Sequence, residues 1–594
     1  MKKLFKDPSL WILFAIIVVA IILRFSYLNR VPAGISDDEL DTVLTSRSVY
    51  YTGKTLEGIF SPFSFKSVPP NALVPYARAP YMLLAPFTGL FQRGLAEVKL
   101  PFAIINVLTT MVLICISWIL WGKRIAIYTA FVFSFNPWSI YFGRTAFDTP
   151  ISIFFIYIFL LCILSLRNWW LLLAFIPWFV GLYSYQGMII VYPLILVIGV
   201  IGIWKIRGHV YGRPYLALVA LGVITFFSFM VAFRDDRAGT RMNEITTPNN
   251  PIIIARVDNQ RRKSVQTPIN SIALNKFTVA GWQMLGQYIG AFSTEHLFVS
   301  GEQRSTFSVW SHGLFYSFEF VLLLIGLYTA YRINRNKTRF LIALIFIAPI
   351  PATISSVGVS YALRASFMYP IFCLFIAIGL ATVCSIRRYN GLIKIGFVIL
   401  YVIVITNFLH IYFIQNPVNN SEGFGFSNRL LAKYMRLASD QKMDVLYVGS
   451  NVVNSYRQYI FYNNILSSRT IESVQLSIGS RAFHIDNIQF LECPQQIPDE
   501  KGNKTIIVTA GKICPALTKL TNSFDPIVVA NLGDSGRIYE IYNDKLCSKY
   551  SLMEYQPMIT FNDLEIEKMP AESFCKTYIS KPKPNPTSIK LDNL

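Results

Sequence analysis

Over its first 412 residues the chain alternates long apolar runs with short charged connectors, and then the pattern changes. A helix needs roughly 18–20 apolar residues to cross a bilayer. Eleven such segments can be marked, at 10–28, 100–121, 125–142, 149–166, 169–186, 188–204, 214–233, 313–331, 340–357, 365–386 and 391–412. Two polar stretches, 29–99 and 234–312, are too long for connectors. Within the first, Thr42–Tyr51 and Pro80–Phe91 are semi-apolar and are expected to lie as helices along the membrane. After Phe413 the runs shorten. Asp444–Val448, Thr505–Thr509 and Arg537–Tyr542 read as strands between polar helical pieces, which predicts a small α/β domain. The Pro-rich end, Lys581–Pro586, is expected to be disordered.

Composition turns this pattern into a fold class. The 594 residues are 53% hydrophobic, with a mean hydropathy of +0.45, which excludes an ordinary soluble domain. The prediction is a polytopic α-helical membrane protein of about eleven transmembrane helices (1–412) with a C-terminal extracytoplasmic α/β domain (413–594). The first run, flanked by Lys2, Lys3 and Lys6, resembles a signal sequence. It lacks a clear small-residue cleavage site, so a retained helix is expected.

The net charge of +21 resides in the membrane half: residues 1–412 hold 35 Lys+Arg against 15 Asp+Glu, and the remainder 19 against 18. With a cytoplasmic N-terminus, the inner connectors carry Lys123-Arg124, Arg167, Lys205 with Arg207 and Arg213, the cluster Arg332 to Arg339, and Arg387-Arg388. The positive-inside rule then places the C-terminal domain outside the cell (plasma) membrane. The acids follow the opposite rule: all in the membrane half except Asp7 fall on the outer side. The basic excess is accounted for by topology and membrane lipid phosphates, and requires no nucleic acid.

Cysteine usage agrees with an outer domain. Cys115, Cys162, Cys373 and Cys384 lie in predicted spans, and Cys493, Cys514, Cys547 and Cys575 in the tail. An even set outside the cell suggests disulfides, Cys493–Cys514 and Cys547–Cys575 being one pairing; buried free thiols are the alternative. There is no zinc spacing, Walker loop, dinucleotide fingerprint or repeat.

The chemistry-bearing stretch is Gly34-Ile-Ser-Asp-Asp-Glu-Leu-Asp41, with four acids in five positions just beyond the first span. Ser36 and Glu39 have the spacing of a capping box, with Asp37 and Asp38 at the positive end of the helix dipole. Carboxylates so placed can also serve as a base, a metal ligand or an acceptor-orienting group.

Several stretches in order resemble the protein O-mannosyltransferase and aminoarabinose-transferase superfamily, polyprenyl-phosphate-sugar-dependent glycosyltransferases of the GT-C fold. Asp38-Glu39 resembles the family's acidic pair. Pro80-Tyr-Met-Leu-Leu-Ala-Pro86 and Val98-Lys-Leu-Pro101 resemble its amphipathic loop and the entry to the next span, with Lys99 in place of arginine. Gly143-Arg144-Thr-Ala-Phe-Asp148 is similar to the second outer-loop motif, Gly181-Leu-Tyr-Ser-Tyr185 and Pro193 to the fifth and sixth helices, and Arg241-Met-Asn-Glu244 to the segment opening the large loop. Ser360-Tyr-Ala-Leu-Arg364-Ala looks like a stretch in which Tyr361 replaces a histidine.

The resemblance, which covers roughly residues 10–440, implies an inverting transfer of a hexosyl or pentosyl group from a polyprenyl-phosphate carrier to an acceptor (protein, lipid or glycan) on the outer face. Asp38 is then the base, with Glu39 or Asp148 orienting acceptor or sugar. Arg241 and Arg364, with Arg144, would hold the donor phosphate. A divalent metal at the acid cluster is possible. The alternatives are structural: Arg144 a helix-end anchor, Asp148 an N-cap before Pro150, Arg364 a snorkelling end residue. The rival function is a transporter or flippase of lipid-linked saccharides. Few ionisable residues lie mid-span and no repeat is visible, which disfavours it. An inactive relative that binds saccharide through its outer domain is a third reading.

Overall fold

Apolar helices dominate because a helix satisfies its backbone hydrogen bonds within its own segment, as each long lipid-compatible run requires. The computed structural model describes residues 7–58, 79–91, 94–207, 212–234, 251–265, 267–302, 306–309, 311–355, 360–386, 390–493, 505–510, 525–533, 536–552 and 559–582. Arg241, Cys514 and most of the Pro-rich end lie outside them. The chain divides into two units: residues 1–26, 61–83 and 99–412 form one, and residues 27–60, 84–98 and 413–594 the other.

In the first unit helix overlaps each of the apolar segments, among the described residues. Among the described residues, five helical stretches are long and apolar enough to cross a membrane on their own: Pro8–Phe25, Leu95–Trp121, Gly212–Val231, Ser366–Val383 and Gly391–Asn419. The protein is therefore a membrane protein. Other segments are interrupted. Helix Lys123–Phe135 stops at Asn136, whose side chain accepts the Ser139 N–H at 2.9 Å and starts a second helix, Pro137–Phe142. The 169–186 segment begins as a 3₁₀ stretch, Asn168–Ala174, before helix Phe175–Leu182.

Two features hold this unit together without a hydrophobic drive between helices. Glu319–Ile333 and Tyr369–Val383 meet backbone to backbone: a Cβ at Gly326 would lie 1.8 Å from the Phe375 carbonyl oxygen, and one at Gly379 2.0 Å from that of Leu322. Small residues at such crossings let helices approach in lipid. The second feature is Arg24, wholly buried near the end of helix Pro8–Phe25. It donates to Asn106 Oδ1 at 2.6 Å, and to the Ser134 carbonyl and Ser139 Oγ at 2.8 Å each. A charge inside the apolar half persists only with such partners.

The second unit contains a seven-stranded mixed sheet: β1 (Val445–Val448), β2 (Phe483–Ile485), β3 (Ile488–Leu491), β4 (Ile506–Ala510), β5 (Ile527–Ala530), β6 (Arg537–Tyr542) and β7 (Ile579–Ser580), in the order β2-β3-β1-β4-β6-β5-β7. β1 pairs in parallel with β3 and β4, Val445 facing Ile488 and Ile506, and the remaining pairs are antiparallel. β4 and β5 are apolar and almost wholly buried, as strands covered on both faces must be. Helices Phe426–Asp440 and Val452–Tyr462 cover the sheet with Leu430, Leu431, Tyr434, Tyr459 and Ile460. Cys547 and Cys575 are joined in a disulfide, Cα atoms 5.3 Å apart, and Cys493 is also disulfide-bonded. Cys115, Cys162, Cys373 and Cys384 are free.

The first outer loop departs from expectation. The helix over Thr42–Tyr51 runs from Asp37 to Thr52, but it does not lie along a lipid surface: residues 39–48 are all buried within the second unit. Its polar side chains explain why, since protein partners rather than lipid can satisfy them. Arg47 donates to Asn464 Oδ1 at 2.5 Å, and Asp41 pairs with Arg457 at 3.0 Å.

Candidate functional site

The acidic start of helix Asp37–Thr52 is built by its own sequence. Ser36 is the N-cap, and Glu39 Oε2 accepts both its backbone N–H and its hydroxyl at 2.8 Å. Glu39 is wholly buried in this duty. The segment before it is pinned: Arg429 donates to the Ala33 carbonyl, Tyr462 takes the Ile35 N–H at 3.2 Å, and a Cβ at Gly34 would strike the Phe424 carbonyl oxygen at 2.1 Å. Only glycine fits there. Arg457 bridges Asp41 and Glu57 at 3.0 and 2.7 Å. Asp37, which is exposed, accepts from Asn454 at 2.7 Å. Asp38 is exposed at the second helical position, its backbone carbonyl accepting from Thr42 at 3.1 Å. Among the described residues no group of three or more His, Cys, Asp or Glu is arranged to hold a metal ion.

A second cluster lies within the first unit. Asp148 precedes helix Thr149–Ser165 without a side-chain capping bond, and its Oδ1 accepts from the Thr149 hydroxyl at 3.5 Å. Its half-buried side chain neighbours Tyr185, which also lies beside Thr149 and Arg364. Arg364 ends the one-turn helix Tyr361–Arg364 and donates to Ser355 Oγ. The turn is clamped: Glu302 accepts the Ala362 N–H at 2.9 Å, Trp138 donates to the Ala362 carbonyl at 3.0 Å, and Tyr369 donates to the Tyr361 carbonyl at 2.9 Å. His296 sits against the Tyr361 ring, 5.2 Å between centroids, and its Nε2 meets the Tyr369 hydroxyl at 3.3 Å. A cation and a carboxylate sharing one tyrosine, on a braced turn, can hold a phosphate and a polar sugar group together.

The predicted site residues thus separate. Asp148 and Arg364 come together through Tyr185, and Asp38 and Glu39 share the helix start in the other unit. Arg144 takes neither place. Expected at the donor phosphate, it is wholly buried and donates to the last carbonyls of helix Pro8–Phe25, those of Leu23 at 2.9 Å and Arg24 at 3.2 Å, and to the Tyr412 hydroxyl at 3.2 Å. A guanidinium that satisfies orphan helix carbonyls acts as a C-terminal cap, in line with the helix-end anchor that is its structural alternative. Sequence reasoning missed His296, Glu302 and Ser355. Only Tyr185 carried a signal, in the Gly181–Tyr185 stretch.

No family model matches the chain, and no curated protein matches it. Among solved structures it is similar to the archaeal oligosaccharyltransferase AglB from Archaeoglobus fulgidus in complex with an inhibitory peptide and a dolichol-phosphate, at 12% identity and a TM-score of 0.43, over 91% of this chain and 74% of that one. It is also similar to ArnT from Cupriavidus metallidurans, in the apo state and bound to undecaprenyl phosphate, at 13% identity and a TM-score of 0.46, over 90% of this chain and 98% of that one.

Proposed function

We propose that this membrane protein is a GT-C-type glycosyltransferase, which moves a sugar from a polyprenyl-phosphate carrier to an acceptor on the outer face with inversion at the anomeric carbon. The observation that supports it is the braced turn of Arg364, with Tyr185 and Asp148 beside it. Arg364 binds the donor phosphate, together with Arg241 by resemblance, and stabilises the negative charge that grows as the sugar–phosphate bond breaks. Asp148 orients a sugar hydroxyl. Asp38 takes the acceptor proton as the acceptor oxygen bonds to the anomeric carbon and the polyprenyl phosphate departs.

The test is transfer by the purified protein from a panel of radiolabelled polyprenyl-phosphate sugars. Arg364→Ala should lower transfer ten- to a hundredfold, on the order of the 1.5–3 kcal/mol of a charged hydrogen bond. Asp38→Asn should lower it by roughly a hundred- to ten-thousandfold. Normal transfer by both variants removes these roles. No transfer from any donor, with lipid-linked saccharide crossing between leaflets, would select the transporter instead.

A further inference from the structure

Helix Lys276–Gly290, in the large loop of the first unit, is turned inside out. A water-facing helix buries its apolar stripe and exposes its polar one. Here Phe277, Trp282, Leu285 and Ile289 are 67%, 72%, 47% and 60% exposed, whereas Gln283 and Gln287 are half-buried on the opposite side. At 100° per residue the four apolar side chains fall on one continuous face. Gly281 lies within that face and Gly286 at its edge, and a Cβ at either meets no atom within 4 Å. The preceding turn continues the surface, with Val265, Ile269 and Ile272 at 84%, 69% and 74%.

The packing inside this hairpin is slight. Helix Pro251–Arg262 touches Lys276–Gly290 through Ile253, Val257, Val279 and Ala280. Arg256 donates to Gln283 at 2.8 Å, and Arg261 to the Leu274 carbonyl at 2.7 Å. Residues 251–290 carry Arg256, Arg261, Arg262, Lys263 and Lys276 against one acid, Asp258. The hairpin is fastened at the end of an apolar helix of the same unit. Tyr288 donates to the Phe346 carbonyl at 2.7 Å, Gln287 to the Ser355 carbonyl at 3.2 Å, and the Phe292 ring lies 6.1 Å from that of Phe346.

We propose that this hairpin is a monotopic membrane anchor, its Phe277–Ile289 face sunk in the outer leaflet and its basic residues bound to anionic lipid headgroups. Fifteen residues of helix reach only about 22 Å, short of the roughly 30 Å hydrocarbon core, so the element lies in the leaflet rather than crossing it. An exposed apolar face on a hairpin rich in Lys and Arg, with Lys276 Nζ 5.3 Å from the Phe277 ring, fits an interfacial helix. The charge selects lipid over other occupants, because a negatively charged surface meets both features at once. The anchor ends beside Arg364, since Ser355 receives both Gln287 and Arg364.

The test uses full-length protein in nanodiscs of equimolar phosphatidylcholine and phosphatidylglycerol, with benzoylphenylalanine replacing Trp282, Ile289 or Gln283 one at a time. After illumination, intact mass should show lipid adducts at positions 282 and 289 and none at 283, with phosphatidylglycerol enriched over its bulk share. Combining Arg261→Gln, Arg262→Gln and Lys263→Gln should abolish that enrichment while leaving the adducts. Adducts to a second copy, an internal crosslink without lipid mass, or no adduct at 282 and 289 would overturn the anchor. Equal lipid shares in the parent protein would overturn the headgroup contact. None of these readouts needs sugar transfer, so their failure is distinct from failure of the transferase reading.

Discussion

Gly326→Ala is the smallest change that should push a pair of membrane helices apart. Its new methyl group would lie 1.8 Å from the Phe375 carbonyl oxygen and 2.6 Å from its carbon, both backbone atoms that no side-chain rotation can move. An ordinary carbon–oxygen contact is about 3.3 Å, so helices Glu319–Ile333 and Tyr369–Val383 must separate by about 1.5 Å at the crossing. A gap of ~1 Å already forfeits up to about half of a dispersion contact, and Leu322, Leu323, Phe372, Phe375 and Ile376 pack on these helices. The expected loss is about 3 kcal/mol, the upper end of the overpacking range. Gly379→Ala strains the same crossing from the other side, against Leu322. The double variant should therefore cost clearly less than the sum, because the helices have already separated. Gly396→Ala is the control: its Cβ meets no atom within 4 Å, and in a helix it should raise stability by roughly 0.5–1 kcal/mol. Melting of the detergent-purified protein reads all four. Wild-type melting of Gly326→Ala, or strict additivity of the pair, would refute the backbone contact.

Three further outcomes are expected. The Arg30 guanidinium, hydrogen-bonded to Glu565, holds that carboxyl down to about 2; its contribution is complete above the unfolded value of about 4.3 and disappears as pH falls toward 2, so Glu565→Gln should flatten the acid limb of the melting curve. Cys575→Ala opens a disulfide between residues separated by 28 positions, which the loop-entropy relation puts at about 3.5 kcal/mol; melting of the second unit measures it, and an unchanged midpoint would contradict that value. A membrane-impermeant thiol reagent should label engineered cysteines at Gly53 and in 250–270 from outside intact cells, and not one at Asn336, where labelling would reverse the assigned orientation.

Local signals were legible in the sequence and distant ones were not. The apolar segments needed only hydropathy, and the Ser36–Glu39 box only a three-residue spacing. The break at Asn136–Pro137 was equally local, but the apolar run continues through it and masks the stop. Helix Asp37–Thr52 misled because its short semi-apolar stripe suggests an interface. Its enclosure depends on Asn454, Arg457 and Asn464, more than 400 positions away in the chain. β2 and β3 were missed since three and four residues leave no readable alternation, although the turn at Asp486 has the positive φ of 51° that Asp tolerates. The contact of Arg144 with the end of the first helix was equally out of reach, since Leu23 and Arg24 lie 121 and 120 positions away in the chain. The Tyr185 cluster joins residues from three separate segments, which no pattern within one segment can disclose.

The acid cluster is best understood as a division of labour along one helical turn. Glu39 closes the capping box, Asp41 pairs with Arg457, and Asp37 is held by Asn454. These contacts fix the backbone on both sides of Asp38, and Arg429, Tyr462 and the close approach at Gly34 fix the segment before it. On the proposed role of Asp38, capping and chemistry are successive demands on the same turn, since a base must be held within a fraction of an ångström to take a proton efficiently. The two roles respond differently to substitution. Ser36→Ala should cost about 1 kcal/mol of stability and leave the acceptor proton's destination intact. Asp38→Asn keeps the helix and removes the only charge the transfer step asks of this turn. If Asp37→Asn rather than Asp38→Asn abolishes transfer, the chemistry moves one position along the same rigid mount. If neither does, the turn is a helix start alone, and Asp148, which makes no side-chain capping bond, becomes the next candidate for the base.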